Sequence, residues 1–238
     1  MRIVYPWIDK EHDHNGKYIN SYQFMNSLSD HLKKEHIIAT DMGTALLSGH
    51  QALKLNLGEM GYGVAGALGA AAACPNQDIL CLNCDGGIMM NLQELHTIIE
   101  NGFNVKVVIF NNDGYLMIKH TQKMLFKGNY ASVDKKTGIG LPNFSKVFPA
   151  LGYDYFKLKD WDKTDSILEQ FLNHPTSAVL EVFMDPEQGF LPKVKGILKK
   201  DNTILPPPIE EMSPLVSKEH LEKSMLVKLS EKSNQIQR

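Results

Sequence analysis

Two short segments of this sequence carry side chains suited to binding a metal ion. Residues 84–87 (CDGG) and residues 111–114 (NNDG) are separated by 23 residues. Asp85 and Asn112 each follow an apolar run typical of a buried β-strand. Mg²⁺ prefers oxygen ligands and takes only a few from the protein, while phosphate and water oxygens complete its octahedron. We therefore expect the oxygens of Asp85 and Asn112 to share a magnesium ion.

A predicted strand–helix–strand unit brings these segments together. Residues 79–82 and 105–110 are predicted to be strands, and residues 91–101 a helix with one apolar stripe. A right-handed crossover places both carboxyl strand ends at one edge of a parallel sheet, where ligands bind. Gly86 and Gly87 lack a Cβ, so their backbone N–H groups can approach a diphosphate closely. The pattern indicates a site for a metal-bound diphosphate.

Strands alternate with helices along most of the chain. Further helices are predicted at residues 21–34, 61–73 and 161–172, and further strands at 37–40 and 178–183. This alternation predicts an α/β fold, a parallel sheet with helices on both faces. We expect an N-terminal extension over residues 1–20, one domain over 21–198, and a C-terminal arm over 199–238 that begins near three consecutive prolines.

Composition argues against several classes of partner. A formal net charge of -2 offers no basic face to nucleic acid or anionic lipid. No apolar run is long enough to span a bilayer, and the N-terminus lacks the apolar core of a signal peptide. Three cysteines are too few for a disulfide framework. We expect a cytoplasmic protein without nucleic-acid or membrane partners.

Four further motifs accompany the Asp85-Gly86 pair: TDMG at residues 40–43, EMGYG at 59–63, MNLQEL at 90–95 and NNDGY at 111–115. Together these motifs resemble those of thiamine diphosphate enzymes, and of the acetolactate synthase group in particular. The resemblance covers roughly residues 37–194. It implies a thiamine diphosphate-binding fold.

The resemblance also implies roles for individual residues. Magnesium would be bound by Asp85, the side chain of Asn112 and the backbone carbonyl of Gly114. The remaining cofactor contacts would come from backbone groups: the diphosphate from Gly43, Thr44, Gly86 and Gly87, and the aminopyrimidine ring from Met60.

The function implied by the resemblance is decarboxylation of a 2-oxo acid, with pyruvate expected, and ligation of the acyl carbanion to an acceptor. In this family the glutamate that activates the cofactor lies on a separate pyrimidine-binding domain. The catalytic residue is therefore expected on a partner domain or subunit. We expect an oligomer, and little activity from this chain alone.

Two alternatives remain at this point. The segment from Asp41 to Met60 is shorter than the family pattern, and Cys84 stands where the family usually has glycine; the short segment favours a non-catalytic assembly partner. Gly61, Gly63 and Gly66 match the spacing of a dinucleotide fingerprint, which favours NAD, but the preceding residues make a poor strand.

Other polar residues have weaker functional patterns. Cys81 and Cys84 form a CxxC without a second pair, so buried, inert thiols are expected. The remaining candidates are the loop histidines His12 and His14, the possible acid–base residues His96 and His120, and the possible substrate contacts Asp113 and Tyr115. Of the two acid–base histidines, His120 is favoured because it follows the Asn-Asn segment.

Overall fold

The computed structural model describes residues 17–53, 59–194, 196–198 and 203–236. His12 and His14 lie outside these ranges, as do residues 54–58 of the short segment before Met60. The described residues fall into two compact units, residues 17–188 and residues 189–236. The predicted boundaries at residues 20 and 198 stay a prediction.

The first unit is built on a five-stranded sheet in the order β1-β2-β3-β5-β4. The strands are β1 (Ile37–Thr40), β2 (Ile79–Cys84), β3 (Val105–Asn111), β4 (Asp154–Leu158) and β5 (Ala178–Phe183). Every pairing is parallel, so all five carboxyl ends lie at one edge. The three central strands are almost wholly buried, which requires cover on both faces.

Helices supply that cover. They are α1 (Ser21–His31), α2 (Thr44–Leu53), α3 (Tyr62–Ala73), α4 (Leu92–Glu100), α5 (Leu116–Leu125), α6 (Phe144–Ala150) and α7 (Thr164–Leu172). Side chains of α1, α2 and α7 share one apolar cluster with alternate strand residues. Side chains of α3, α4 and α6 share a second cluster with the intervening ones. The predicted α/β class with helices on both faces is confirmed.

The sequence predicted some elements well and missed others. All four strands predicted from apolar runs are present, and the helix over 21–34 is present but ends at His31. The edge strand β4 was missed because its side chains are mostly exposed or half-buried, so its sequence lacks an apolar run. The short helix α6 was missed because Pro149 lies inside it, near its end. The helices α2 and α5 were also missed.

Among its described residues, the second unit contains two small antiparallel pairings, one short α-helix and a 3-10 helix at Glu231–Gln235. The strands are β6 (Lys193–Val194), β7 (Ile197–Leu198), β8 (Ile204–Leu205) and β9 (Met212–Ser213), and the helix is α8 (Lys218–Ser224). Leu221 is its buried centre, packed by neighbouring apolar side chains of the same unit. No helix among the described residues of either unit is long and apolar enough to cross a membrane.

Candidate functional site

Asp85 and Asn112 meet at the carboxyl edge of the sheet. Asp85 directly follows β2, Asn112 directly follows β3, and these strands are neighbours. Asp85 Oδ2 accepts hydrogen bonds from the backbone N–H of Asn112 at 2.9 Å and of Gly114 at 3.1 Å. Asp85 Oδ1 accepts from the N–H of Gly86 at 2.8 Å. The carboxylate thus ties the two predicted metal-binding turns together.

The buried polar atoms of these two residues fit a cation. Asp85 is fully buried, and this burial raises the pKa of its carboxyl to about 7, although four backbone N–H groups that face it lower the pKa. Among the described residues, the buried Asn112 Oδ1 has no hydrogen-bond partner, while Asn112 Nδ2 donates to Thr44 Oγ1 at 3.4 Å. A buried acceptor without a donor is costly. An ion bound to both oxygens would relieve that cost and compensate the buried charge.

Gly114 occupies a position that only glycine fits. Its φ is +150°, and a Cβ there would lie 2.2 Å from the backbone oxygen of Val133. Its N–H reaches Asp85 because the chain turns this closely past residue 133. The third predicted metal-binding residue is therefore held in the same turn as Asn112.

One cavity gathers the predicted cofactor residues. Its volume is about 200 Å³, and it lies at the carboxyl ends of β1, β2 and β3. Its lining includes every predicted cofactor residue: Gly43, Thr44, Met60, Asp85, Gly86, Gly87, Asn112 and Gly114. The structure thus brings together residues that are as much as 71 positions apart (114 minus 43). Their roles in binding a cofactor stay a prediction.

The contacts of Gly86 and Gly87 differ from the expectation that their backbone N–H groups are open to a diphosphate. The N–H of Gly86 donates to Asp85, and the ring of Tyr115 packs over the Gly86 Cα, where a Cβ would lie 2.2 Å from Tyr115 Cε1. At Gly87 a Cβ would lie 2.6 Å from Asp41 Oδ1. Gly87 therefore permits close packing of two turns, and the Gly86 N–H can reach a diphosphate only by exchanging its present partner.

Sequence reasoning missed several residues that line the cavity. These are Met42, Leu116, Met117 and Ile118. The last three belong to the start of α5, a helix the sequence analysis did not predict. Their signal was the mixed apolar run after the Asn-Asn segment, which shows too little periodicity to predict a helix.

The weaker candidates lie in varied surroundings. His96 is exposed beside Glu100, and His120 Nε2 lies 3.0 Å from the backbone oxygen of Gln188; neither is among the residues that line the cavity. Asp113 and Tyr115 line a neighbouring cavity of about 510 Å³, and Tyr115 lines both cavities. Asp113 is exposed, with φ of +61°.

The CxxC cysteines are free thiols. Cys81 and Cys84 are both buried, and desolvation raises the pKa of each thiol to about 12. Thiols held this far from ionisation are poor nucleophiles and poor metal ligands at neutral pH. Within the described ranges, no cluster of three or more His, Cys, Asp or Glu side chains is arranged to hold a metal ion.

Comparison with known proteins agrees with the fold. Residues 36–182 match the family model of the thiamine pyrophosphate enzyme, C-terminal TPP binding domain, where TPP is thiamine diphosphate. This match covers more than half of the chain, and the chain belongs to that family. The resemblance to thiamine diphosphate enzymes is thereby confirmed.

Curated relatives of this chain include large subunits of acetolactate synthase. The chain is 32% identical over 188 residues to the isozyme 1 large subunit of Escherichia coli K12, covering 74% of this chain and 33% of the relative. It is 28% identical over 204 residues to the isozyme 2 large subunit of the same organism, covering 82% and 36%. For the large subunit of Parasynechococcus marenigrum WH8102 the identity is 30% over 172 residues, covering 68% and 28%. The chain thus spans about a third of the length of the relatives it matches.

Proposed function

We propose that this chain is the thiamine diphosphate- and magnesium-binding part of an acetolactate synthase-like enzyme. Its proposed reaction is decarboxylation of a 2-oxo acid, with pyruvate the expected substrate, followed by ligation of the acyl group to an acceptor. One observation carries the proposal: Asp85, Asn112 and Gly114 converge on one cavity, with the Asn112 oxygen unpartnered among the described residues. Family membership and the acetolactate synthase relatives support it.

In this proposal the chain binds and shields the cofactor. Asp85 Oδ, Asn112 Oδ1 and the carbonyl of Gly114 would hold Mg²⁺, and diphosphate and water oxygens would supply its other ligands. The turns at Gly43 and Gly86 offer backbone donors to the diphosphate. The apolar side chains at the start of α5 exclude water from the cavity. When bound, thiamine diphosphate supplies the electron sink for the decarboxylation.

The proposed partner is a pyrimidine-binding domain or subunit that covers the cavity. Large apolar side chains are exposed in and beside the segments that form it: Met42, Tyr62, Met89, Met90 and Ile118. Large exposed apolar patches are unusual on the free surface of a protein and mark interaction sites. The relatives are about three times as long as the region matched here, which leaves room in them for such a domain. The activating acid is proposed to come from that partner.

Calorimetric titration tests the proposal directly. Thiamine diphosphate is titrated into the full chain with Mg²⁺, and again after metal removal with EDTA. We expect binding only with Mg²⁺, and at least a hundredfold weaker binding in Asp85→Ala because the variant loses the ligand and the link between the two turns. Asp78→Ala, an exposed carboxylate at the opposite edge of the sheet, is the matched control.

Each other outcome has a distinct meaning. Unchanged cofactor affinity in Asp85→Ala would refute the metal assignment. No binding by the wild-type chain, with or without Mg²⁺, would favour the non-catalytic assembly partner. NAD is titrated in parallel; binding of NAD instead of thiamine diphosphate would favour the dinucleotide alternative.

A further inference from the structure

Asp41, at the end of β1, is a buried carboxylate to which the sequence analysis assigned no role. It is fully buried, and its Oδ1 accepts a hydrogen bond from the N–H of Met42 at 2.7 Å. Its Oδ2 accepts from the N–H of Gly61 at 2.8 Å and of Gly63 at 3.1 Å. One carboxylate thus spans 20 positions of sequence to hold the start of α3.

The turn that Asp41 holds contains Met60. Met60 lines the candidate cavity and directly precedes Gly61, which has φ of +90° and lies at the N-cap of α3. The carbonyl of Gly61 accepts a hydrogen bond from Asn91 Nδ2. Asp41 and Asn91 therefore bind the N–H and the carbonyl of Gly61. Each of the two peptide groups that flank Gly61 is held at one polar atom, and the first of them is the peptide that joins Met60 to Gly61.

Gly63 and Gly87 pack closely against the side chain of Asp41. A Cβ on Gly63 would lie 3.0 Å from Asp41 Cβ, and one on Gly87 would lie 2.6 Å from Asp41 Oδ1. Glycines at these positions let the helix start and the turn after β2 close on the side chain. Burial raises the pKa of Asp41, and the backbone donors of Gly63, Met42 and Gly61 lower it. Each oxygen of Asp41 thus accepts at least one backbone hydrogen bond, beside glycines that pack closely against the side chain.

Two different carboxylates hold two parts of the candidate site. Asp85 joins the turns that carry the predicted metal ligands, and Asp41 joins β1 to the turn that carries Met60. Met60 is the residue expected to meet the aminopyrimidine ring, while Gly43, Thr44, Gly86 and Gly87 are expected to meet the diphosphate. A substitution at Asp41 should therefore weaken the contacts to the aminopyrimidine ring more than the contacts to the diphosphate.

We propose that Asp41 is a positioning residue that fixes the Met60 turn against the aminopyrimidine ring. Asn91 supports the same turn through its hydrogen bond to the carbonyl of Gly61. The proposal rests on the proposed function, because the ring end of thiamine diphosphate must occupy the Met60 side of the cavity. It predicts a loss selective for the ring end. A residue needed only for folding would weaken all ligands alike.

Two probes separate the ends of the cofactor. Thiamine diphosphate and inorganic pyrophosphate are each titrated, with Mg²⁺, into the wild-type chain of 238 residues and its variants by calorimetry. In Asp41→Ala, which removes both acceptors, we expect thiamine diphosphate affinity to fall at least tenfold and pyrophosphate affinity to change by no more than about twofold. Asp41→Asn keeps one acceptor oxygen and should fall between wild type and Asp41→Ala.

Further variants keep the test decisive if Asp41→Ala does not fold. Asn91→Ala removes the second hydrogen bond to Gly61 from a half-buried side chain and should give the same selectivity with a smaller loss, about threefold. Asp78→Asn repeats the carboxylate-to-amide change at an exposed position and should leave both affinities unchanged. Circular dichroism and thermal unfolding establish which variants are folded.

Amide exchange gives a readout that needs no cofactor. By NMR, we expect the amides of Gly61 and Gly63 to exchange at least tenfold faster in the folded Asp41 variants than in Asp78→Asn, while those of β3 keep their rates. Equal loss of both probes, or loss of neither, would overturn the proposal. If the wild type binds neither probe, the proposed function fails, and unchanged exchange at Gly61 and Gly63 would then independently overturn the role of Asp41.

Discussion

The metal end of the candidate site contains Asp85, Asn112 and Gly114, and the ring end is the turn that carries Met60. These two ends are held by different kinds of contact. At the metal end, Asp85 and Asn112 are the residues that directly follow two neighbouring strands, so the pairing of β2 with β3 already places them together. At the ring end, Met60 follows no described strand and its turn is held by side chains, those of Asp41 and Asn91. Strand pairing places the metal end, where Asp85 adds hydrogen bonds between the two turns, whereas the ring end depends on side-chain hydrogen bonds from Asp41 and Asn91.

This difference predicts how each end responds to substitution. The metal end shares the backbone of the sheet, so only a change that moves this backbone or removes a ligand should damage it severely. The ring end depends on a few hydrogen bonds of ordinary strength, each contributing about 1 kcal/mol, or up to about 3 kcal/mol when one partner is charged. Its losses should be moderate and graded.

Gly114→Ala should have the largest effect, because it displaces the backbone of the metal end. The new Cβ would lie 2.2 Å from the backbone oxygen of Val133, at a φ of +150° that alanine rarely adopts. Asp85 would lose a donor, and the Gly114 carbonyl would move. We expect Mg²⁺-dependent thiamine diphosphate affinity, measured by calorimetry, to fall about a thousandfold, or about 4 kcal/mol.

Gly69→Ala is the matched control for that variant. Gly69 is exposed in α3, and a Cβ there meets no atom within 4 Å. Alanine should stabilise the helix by about 0.4–1 kcal/mol and leave affinity unchanged. If Gly114→Ala binds the cofactor as tightly as Gly69→Ala, backbone placement does not govern the metal end.

The same difference explains what the sequence could predict. Asp85 and Asn112 could be assigned because apolar strands mark their own ends and parallel neighbours share an edge. The role of Asp41 could not, because its partners Gly61 and Gly63 lie 20 and 22 positions away and their hydrogen bonds depend on how α3 packs. The helix α5 was missed for a related reason: its first turn faces a cavity, and the apolar periodicity of its sequence is too weak to predict a helix.

Lys106 offers a way to change stability at the amino end of β3, away from the site. It is buried, and Lys106 Nζ donates to the backbone oxygen of Thr176 at 2.7 Å and to Asn104. Burial lowers the pKa of Lys106 from its ordinary value of 10.5 to about 8. Below pH 8 the ammonium is charged in the folded and unfolded states, and the cost of burying it is fully present.

Between pH 8 and pH 10.5 the folded state releases this proton while the unfolded state retains it, so stability rises with pH. We expect the free energy of unfolding of the wild type to rise by about 3 kcal/mol relative to Lys106→Met across this window, at 1.36 kcal/mol per pKa unit. Urea unfolding at several pH values measures it. If the difference in free energy of unfolding between the wild type and Lys106→Met did not change with pH, this would contradict the buried charge. A change in the cofactor affinity of Lys106→Met at pH 7 would contradict the independence of the two ends of β3.

Substitution of Cys84 should give the smallest effect, and its effect on two ligands shows to which end of the site the Gly43 turn belongs. Its Sγ lies 3.4 Å from the N–H of Ala45 and 3.4 Å from the carbonyl of Met42, two weak contacts that connect the end of β2 to the turn at Gly43. That turn is expected to serve the diphosphate, which thiamine diphosphate and pyrophosphate share. Cys84→Ala should therefore lower the affinity for both ligands equally, by about threefold. Asp41→Ala should instead lower mainly the affinity for thiamine diphosphate. Cys74→Ala, a half-buried cysteine at the end of α3, is the control and should change neither affinity. If Cys84→Ala weakened thiamine diphosphate alone, the Gly43 turn would belong to the ring end, and the division between strand-placed and side-chain-placed parts of the site would have to be redrawn.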